Sequence, residues 1–434
     1  MQKATHHAHT STTTEPHQPQ PGTKTNDVTN VILSWILQGG VILSAAVILL
    51  GFILLPTHPG GLSLERLLHF PQSFSALLTG LQQLHPQSII TLGLLLLIAT
   101  PVVRVAASIV IFALEHDRTY VVITAIVLII LLFSIFFVGG NNSTQIHNIN
   151  AFHFSLWTIL FIFLGAIVAG MLGSLVGLGG GVLIVPLLTL VFGLPIPFAI
   201  GASIISVIAT SSGAAAAYVR DHITNLRIGM FLEIATTIGA ISGAFLAAYL
   251  APGLLSVIFG VILLISVAPL IFKMGEELPQ NVKNDTLAKW LHLSGSYPDH
   301  RLGKEVSYQV TRTPFGLVMM YVAGAISGLL GIGSGTFKVL ALDTMMRLPI
   351  KVSTTTSNFM IGVTAAASAG IYFSRGDIPP LVAAPVALGI LIGAMGGARL
   401  LPHISNKGLR IVFMVVIIAS AGEMILKGVG IAGL

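Results

Sequence analysis

The stretch Gly170-Met-Leu-Gly-Ser-Leu-Val-Gly-Leu-Gly-Gly-Gly-Val-Leu-Ile-Val-Pro186 decides the fold of this chain. A hydrophobic segment enters it, meets four glycines at Gly177, Gly179, Gly180 and Gly181, and then continues hydrophobic. Glycine this dense inside an apolar run predicts a backbone that breaks, or that another segment approaches closely. The pattern recurs at 331–335, where Gly331, Gly333 and Gly335 lie in a second apolar run. The two clusters predict two interrupted helices at membrane depth.

Composition identifies an integral membrane protein. Of the 434 residues, 54% are hydrophobic and 8% are charged, whereas about 25% of the residues of a soluble domain are charged. The chain has no cysteine, which excludes disulfides, thiolate catalysis and cysteine-based metal sites. No basic run interleaved with aromatic residues indicates nucleic-acid binding, and the net charge of +6 is better explained by loop placement in a membrane protein. We therefore expect an all-α protein whose surroundings are the lipid bilayer.

The first 30 residues are polar and predict a disordered cytoplasmic tail. They contain no apolar core, which argues against a cleaved signal peptide. The tail histidines His6, His7 and His9 have no acidic or cysteine neighbour, so we predict no metal site there.

An N-terminal membrane domain is predicted over 31–150. Its three apolar segments lie near 31–55, 88–114 and 120–138, and each is long enough to cross the apolar slab of a bilayer as a helix. Arg104 lies inside the second segment, so its charge must face protein, water or headgroups. Contact with an anion or lipid, and a structural role in snorkelling or pairing, are both open.

The remainder of the chain is a duplication of five apolar segments. The first copy is predicted over 151–273 and the second over 314–434, separated by a polar cytoplasmic loop over 274–313. Shifting the sequence by 154 positions superimposes the copies without a gap, and the matched pairs include Gly170 on Gly324, Gly177 on Gly331, Pro195 on Pro349, Ser203 on Ser357, Thr210 on Thr364 and Tyr218 on Tyr372. An ordered series that includes Pro, Tyr and Thr indicates a true internal repeat.

An odd number of crossings per copy predicts that the second copy is inverted relative to the first. With the loop at 220–227 placed inside, most Lys and Arg residues also fall inside, as membrane insertion favours. This placement puts the N-terminus in the cytoplasm and predicts a multi-pass protein of the inner (plasma) membrane.

Inverted repeats with interrupted short helices are the sequence signature of a secondary transporter's binding site. The freed N–H groups at each glycine cluster favour an anion, although glycines also serve close helix packing. Hydroxyl and amide donors follow in the third segment of each copy, at Ser203 and Thr210 and at Ser357 and Asn358. They suit an oxyanion, but hydrogen bonding between helices is an equally open role for them.

Lys338 is the most informative single residue. It follows Gly335 by three positions inside an apolar run, and its mate in the first copy is Ile184. A cation at membrane depth usually faces a ligand, a partner or a water-filled path. A pair with Asp343 is the alternative, but five residues separate the two by about 140° around a helix.

The sequence predicts no enzyme, no cofactor and no metal, because no reactive side chains cluster at suitable spacing. Glu233, Arg399 and Glu423 also lie within apolar segments. Each is near a predicted end, which favours an interfacial, structural role over that of a proton carrier.

The run from Gly177 to Leu188, the second glycine cluster and the duplicated five-segment plan resemble the sulfite exporter TauE/SafE family, also called the 4-toluene sulfonate uptake permease family. The resemblance covers about 155–430, and the N-terminal unit resembles an uncharacterised small membrane domain. The second cluster departs from the family pattern, with Thr336-Phe337-Lys338 in place of a hydrophobic run.

The resemblance implies transport of small sulfur-containing or organic anions, such as sulfite or sulfonates, by alternating access of the two repeats. A coupling proton or ion and a homo-oligomeric state are left open. The alternative is a non-transporting membrane scaffold or sensor that acts through a partner protein.

Overall fold

A computed structural model describes residues 23–56, 71, 74–138, 155–176, 180–220, 223–272, 279, 282–299, 303–400 and 406–430. Six helices of this described part are long and apolar enough to cross a membrane. Four further helical stretches are apolar but shorter, among them 181–191, which follows the first glycine cluster. The predicted all-α membrane architecture is confirmed.

The described part of the N-terminal unit contains four helices, one more than the three predicted spans. They are α1 (Thr23–Leu54), the short α2 (Phe74–Gln82), α3 (Pro86–Leu114) and α4 (Arg118–Phe133), which continues as a π-helical turn to Val138. Helix α1 begins at Thr23, so the prediction of a disordered tail over 1–30 is wrong for its last part, because this polar end extends the apolar helix. The tail histidines lie outside the described residues.

The two copies fold into the same series of helices. The first copy contains α5 (Leu156–Val176), α6 (Gly181–Pro186), α7 (Ile196–Arg220), α8 (Leu226–Tyr249) and α9 (Pro252–Phe272). The second contains α11 (Thr313–Leu330), α12 (Gly335–Leu340), α13 (Ile350–Ser374), α14 (Pro380–Leu400) and α15 (Asn406–Val429). From the second helix onward, every helix begins 154 residues after its mate, and both α6 and α12 continue as π-helical turns of five residues.

The copies are inverted. The start of α9 lies against the end of α15, since a Cβ on Gly253 would lie 2.8 Å from the Gly428 carbonyl oxygen. Further along α9, a Cβ on Gly260 would lie 2.7 Å from the carbonyl oxygen of Ala421, which precedes Gly428 in α15. These two equivalent helices of the copies therefore run antiparallel, as inverted copies require.

The copies are also interlocked, because the first helix of each packs along the fourth helix of the other. A Cβ on Gly393 of α14 would lie 2.0 Å from the Ile167 carbonyl oxygen of α5. The same arrangement recurs in α8 and α11, where a Cβ on Gly239 would lie 2.2 Å from the Tyr321 carbonyl oxygen. Glycine lets these backbones approach within a distance that any side chain would prevent.

The interlocking divides the ten segments into two mixed bundles. Helix α7 packs on α14 and helix α13 packs on α8. We call α5, α7 and α14 the first bundle, and α8, α11 and α13 the second bundle. They meet where α7 packs on α13, and α9 and α15 pair with each other.

The connecting segment carries structure that the predicted polar loop does not include. It contains the short helix α10 (Thr286–Trp290) and a hairpin of β1 (Gly295–Asp299) and β2 (Lys304–Tyr308), whose antiparallel register pairs Gly295 with Tyr308. The Asp285 side chain accepts hydrogen bonds from Ala288 N and Thr313 N. Asp285 therefore caps α10 and fixes it to the start of α11.

Candidate functional site

The second glycine cluster interrupts a helix, as predicted. Helix α5 ends at Val176 and α6 begins at Gly181, and between them Gly177 and Gly179 lie outside the described residues. Helix α11 ends at Leu330 and α12 begins at Gly335. Across that second break, Gly331, Gly333 and Ser334 adopt left-handed backbone with φ of 67°, 73° and 46°. Two glycines make this turn accessible at low steric cost.

Ser203 of α7 joins the two breaks. Its hydroxyl, which is fully buried, lies 2.9 Å from the Gly181 carbonyl oxygen and 2.8 Å from that of Gly331. The equivalent Ser357 of α13 donates to the Gly335 carbonyl oxygen at 3.2 Å. The interruptions of the two copies are therefore brought together in the protein interior, on the side chains of the third helices.

Lys338 is fully buried in α12. Its Nζ donates to the hydroxyl oxygen of Thr364 in α13. The Thr364 hydroxyl lies 2.8 Å from Oε1 of Glu233 in α8, which is also buried. A polar chain thus runs from ammonium to hydroxyl to carboxylate across three helices.

Arg104 of α3 lies beside this chain. Its side chain is fully buried, and its Cζ lies 4.2 Å from the centre of the Phe359 ring in α13. Arg104 interacts electrostatically with both Glu233 and Lys338. None of the three guanidinium nitrogens has a hydrogen-bond partner among the described residues. We call Arg104, Glu233, Lys338 and Thr364 the charged cluster.

The charged cluster breaks the symmetry of the repeat. At a shift of 154 positions, Lys338 corresponds to Ile184 and Glu233 of the first copy corresponds to Ala387 of the second. Thr364 corresponds to Thr210, whose hydroxyl bonds to the carbonyls of its own helix at Ser206 and Val207. The repeat therefore places a charged cluster at one of two equivalent sites. The other site has apolar residues and the Thr210 hydroxyl, which bonds within its own helix.

The remaining predicted site residues that the structure describes do not belong to the charged cluster. Asn358 is half-buried and is rotated by about 100° from Ser357 around α13, so the two do not share a face. Gly180 is buried at the N-terminal cap of α6. Of the predicted donors, Ser203, Thr210 and Ser357 all direct their hydroxyls to main-chain carbonyls, as helix-packing residues in membranes do.

The interfacial position predicted for Glu233 is wrong, because its residue exposure is 1%. The sequence did hold a signal for this buried position. Glu233 and Lys338 carry opposite charges, and the equivalent position of each in the other copy is uncharged. Two unmatched charges of opposite sign indicate that the two side chains lie near each other. Glu423 is exposed on α15, and the side chain of Arg399 lies outside the described residues.

The ends of several helices are tied to the hairpin. Asn225, which caps α8 through Ile228 N, also donates from Nδ2 to the Tyr308 hydroxyl at 2.8 Å and to the Leu293 carbonyl oxygen. Burial raises the pKa of the Tyr308 phenol to about 12, against the lowering effect of the Asn225 hydrogen bond. The N-terminal unit joins here as well, through a bond from the Tyr120 hydroxyl to the Leu291 carbonyl oxygen.

The sequence profile described as sulfite exporter TauE/SafE matches residues 161–424, more than half of the chain. The chain belongs to this family. A second profile, described as a protein of unknown function (DUF1634), matches residues 33–136. The family region thus coincides with the interlocked repeats, and the N-terminal unit is a separate conserved type of domain fused to it.

Curated relatives resemble the family region over nearly their whole length. Probable membrane transporter protein YunE of Bacillus subtilis is 26% identical over 278 residues, which cover 62% of this chain and 98% of the relative. Probable membrane transporter protein YdhB of Bacillus subtilis is 28% identical, covering 57% of this chain and 92% of the relative. Probable membrane transporter protein MJ0441 of Methanocaldococcus jannaschii is 26% identical, covering 60% and 92%.

No solved structure matches the chain. The family and these relatives indicate a multi-pass membrane permease rather than an enzyme. Among the described residues, no group of three His, Cys, Asp or Glu side chains is placed to hold a metal ion.

Proposed function

We propose that this protein is a secondary transporter for small sulfur-containing or organic anions, such as sulfite or sulfonates. It acts in the inner (plasma) membrane with its N-terminus in the cytoplasm. The sulfite exporter description of its family supports this substrate class, and the predicted placement of most Lys and Arg residues on one side supports this orientation.

The buried ammonium of Lys338 carries this proposal. A charge removed from water costs several kcal/mol unless it is paired. Its hydrogen bond goes to a neutral hydroxyl, that of Thr364, and the Glu233 carboxylate is one step further away. This arrangement leaves donor capacity on an ammonium that has three N–H groups. An anion that enters the site gains a positive partner without first breaking a direct ion pair.

The second break supplies further donors beside Lys338. The first helical hydrogen bond of α12 runs from Lys338 N to the Ser334 carbonyl oxygen, so the amides of the three preceding residues are not used by the helix itself. The Ser334 hydroxyl is buried and has no partner among the described residues. These groups and the Lys338 ammonium form a donor set that suits an oxyanion.

For alternating access, the rigid units that move must each contain helices from both repeats. Rigid movement of one sequence repeat against the other would separate α5 from α14 and α8 from α11, where glycine backbones are in direct contact. We propose instead that the first and second bundles move against each other about the contact of α7 with α13. Ser203, whose hydroxyl reaches both breaks, lies at this boundary.

Sulfite and sulfonate uptake into proteoliposomes tests the proposal. Lys338→Met keeps an unbranched side chain that is one atom shorter and removes its charge. We expect flux to fall by at least about tenfold, since about 1.4 kcal/mol of lost binding accounts for that factor. Lys304→Met is the matched control, because Lys304 is exposed in the hairpin. Equal flux in the wild type and Lys338→Met would contradict the proposed site.

A further inference from the structure

The fused N-terminal unit reaches into the repeats through helix α3. Helix α3 packs on α13 and on α7, and its Pro101 faces Gly362 of α13, where a Cβ would lie 3.7 Å from the Pro101 Cγ. One turn further along α3, Arg104 lies over Phe359 of α13. The unit therefore places a cation among groups that otherwise belong to the two repeats.

The surroundings of Arg104 satisfy its charge only in part. The Phe359 ring covers one face of the guanidinium and stabilises it by a cation–π contact. The N–H groups, however, point outward in the guanidinium plane, and none of its three nitrogens is bonded to a described residue. Buried polar groups are nearly always hydrogen-bonded, so a fully buried guanidinium with no acceptor is a strong indication of a missing ligand.

The charges of the cluster define the ligand. With ordinary ionisation, Arg104 and Lys338 contribute two positive charges and Glu233 contributes one negative charge, which leaves one positive charge unbalanced. Oε2 of Glu233 has no partner among the described residues, so the carboxylate does not close the fork of Arg104. A planar guanidinium with a free edge matches two oxygens of one oxyanion.

We infer that Arg104 is a ligand of the transported anion, contributed by the N-terminal unit, and that a small oxyanion binds its guanidinium within the charged cluster. The inference rests on the proposed function and extends its site beyond the two repeats. Helix α3 is then part of the transport machinery, because without Arg104 the cluster has no excess positive charge.

The opposing explanation is that Arg104 serves only as a counter-charge to Glu233. The double variant Arg104→Gln/Glu233→Gln separates the two, because it removes both charges and keeps the cluster's net charge at its ordinary value. A counter-charge role predicts wild-type anion binding in the double variant. A ligand role predicts that binding is lost, because the fork of donors is absent.

The experiment measures sulfite and methanesulfonate binding to the purified full-length protein, by thermal stabilisation and by a labelled-anion assay in chloride-free buffer. We expect Arg104→Gln and the double variant to raise the Kd by at least about tenfold, the scale of one charge-assisted hydrogen bond. Arg104→Lys keeps the charge but loses the planar fork, so a rise of several-fold is expected. Arg118→Gln, the same change at an exposed residue of the N-terminal unit, should leave the Kd within about twofold of the wild type.

Wild-type affinity and flux in the double variant would overturn the inference and leave the proposed function in place. If the glutamine variants cannot be purified, unchanged affinity in Arg104→Lys would overturn the inference in the same way. Arg104-dependent binding of chloride, with none for the oxyanions, also overturns it. A wild type that binds sulfite through Arg104 but transports none of the anions contradicts the proposed function and leaves the binding site in place.

Discussion

Ser203 is the residue at which the two copies of the repeat are joined. One hydroxyl hydrogen is shared between the carbonyl oxygens of Gly181 and Gly331, at 2.9 and 2.8 Å. The Gly331 carbonyl ends α11 in left-handed backbone, where helix carbonyls lack partners of their own. The side chain therefore holds in place the backbone from which we propose that the anion site is built.

We expect Ser203→Ala to lower the thermal stability of the purified protein, by about 1–3 kcal/mol in unfolding free energy, since a buried acceptor loses its donor. Ser206→Ala is the matched control. The Ser206 hydroxyl is equally buried but bonds only to the Ser203 carbonyl within its own helix, so its loss should cost less than about 1 kcal/mol. Equal melting temperatures for the two variants would contradict the bridging role.

At the residue scale, the sequence identified Lys338 as an unusual cation at membrane depth, but it did not predict which side chains surround it. A lone lysine in an apolar run is visible without a structure, because its desolvation cost demands a reason. Its contacts with Thr364 and Glu233 depend on how α8, α12 and α13 converge. The spacing of residues along one helix does not encode contacts between helices, and the angle between Lys338 and Asp343 likewise concerns one helix only.

At the scale of elements, the glycines that interrupt helices and the glycines that pack them have different surroundings. Those at the second break take positive φ, whereas Gly239 and Gly393 are helical and face a neighbouring carbonyl. Both kinds were foreseeable from spacing, because break glycines occur at every second position and packing glycines at every fourth. The hairpin between the copies could not be predicted from the sequence, because its strands are short and polar.

Gly393→Ala should destabilise the contact of α14 with α5. The new methyl group would lie 2.0 Å from the Ile167 carbonyl oxygen, so the helices must separate, at a cost on the order of 1–3 kcal/mol. Gly396→Ala on the same helix is the control, because nothing lies within 4 Å of its Cβ position and alanine favours the helix. Thermal unfolding in detergent measures both, and a Gly393→Ala protein as stable as Gly396→Ala would show that the two helices are not packed as described.

At the scale of the whole molecule, the copies interlock, so the two sequence repeats differ from the two bundles that we propose to move as rigid bodies. The sequence predicted the duplication, the inversion and the interrupted short helices, because each follows from apolar length, glycine spacing and an ordered series of matches. It did not indicate that the first helix of each copy packs with the fourth helix of the other. That pairing is a property of backbone contacts between distant segments, for which no alignment within one chain provides a signal.

Disulfide cross-linking can distinguish the two possible moving bodies, because the native chain has no cysteine. The pair Ala166→Cys/Gly389→Cys joins α5 to α14 inside the first bundle, where the two Cβ positions are 2.8 Å apart. The pair Ser211→Cys/Gly362→Cys joins α7 to α13 across the boundary between bundles, at a Cβ separation of 3.7 Å. The second separation is within the usual range for a disulfide, and the first requires a shift of roughly 1 Å.

Movement of mixed bundles predicts that oxidation leaves flux through the Ala166/Gly389 protein within about twofold of its reduced form, since both helices travel together. Oxidation of the Ser211/Gly362 protein should reduce flux by at least about tenfold, and reductant should restore it, because the bond spans the surface on which the bundles slide. Each reduced double variant serves as the control for its own oxidised form. The opposite pattern, with only the bond between α5 and α14 stopping transport, would identify the two sequence repeats as the rigid bodies.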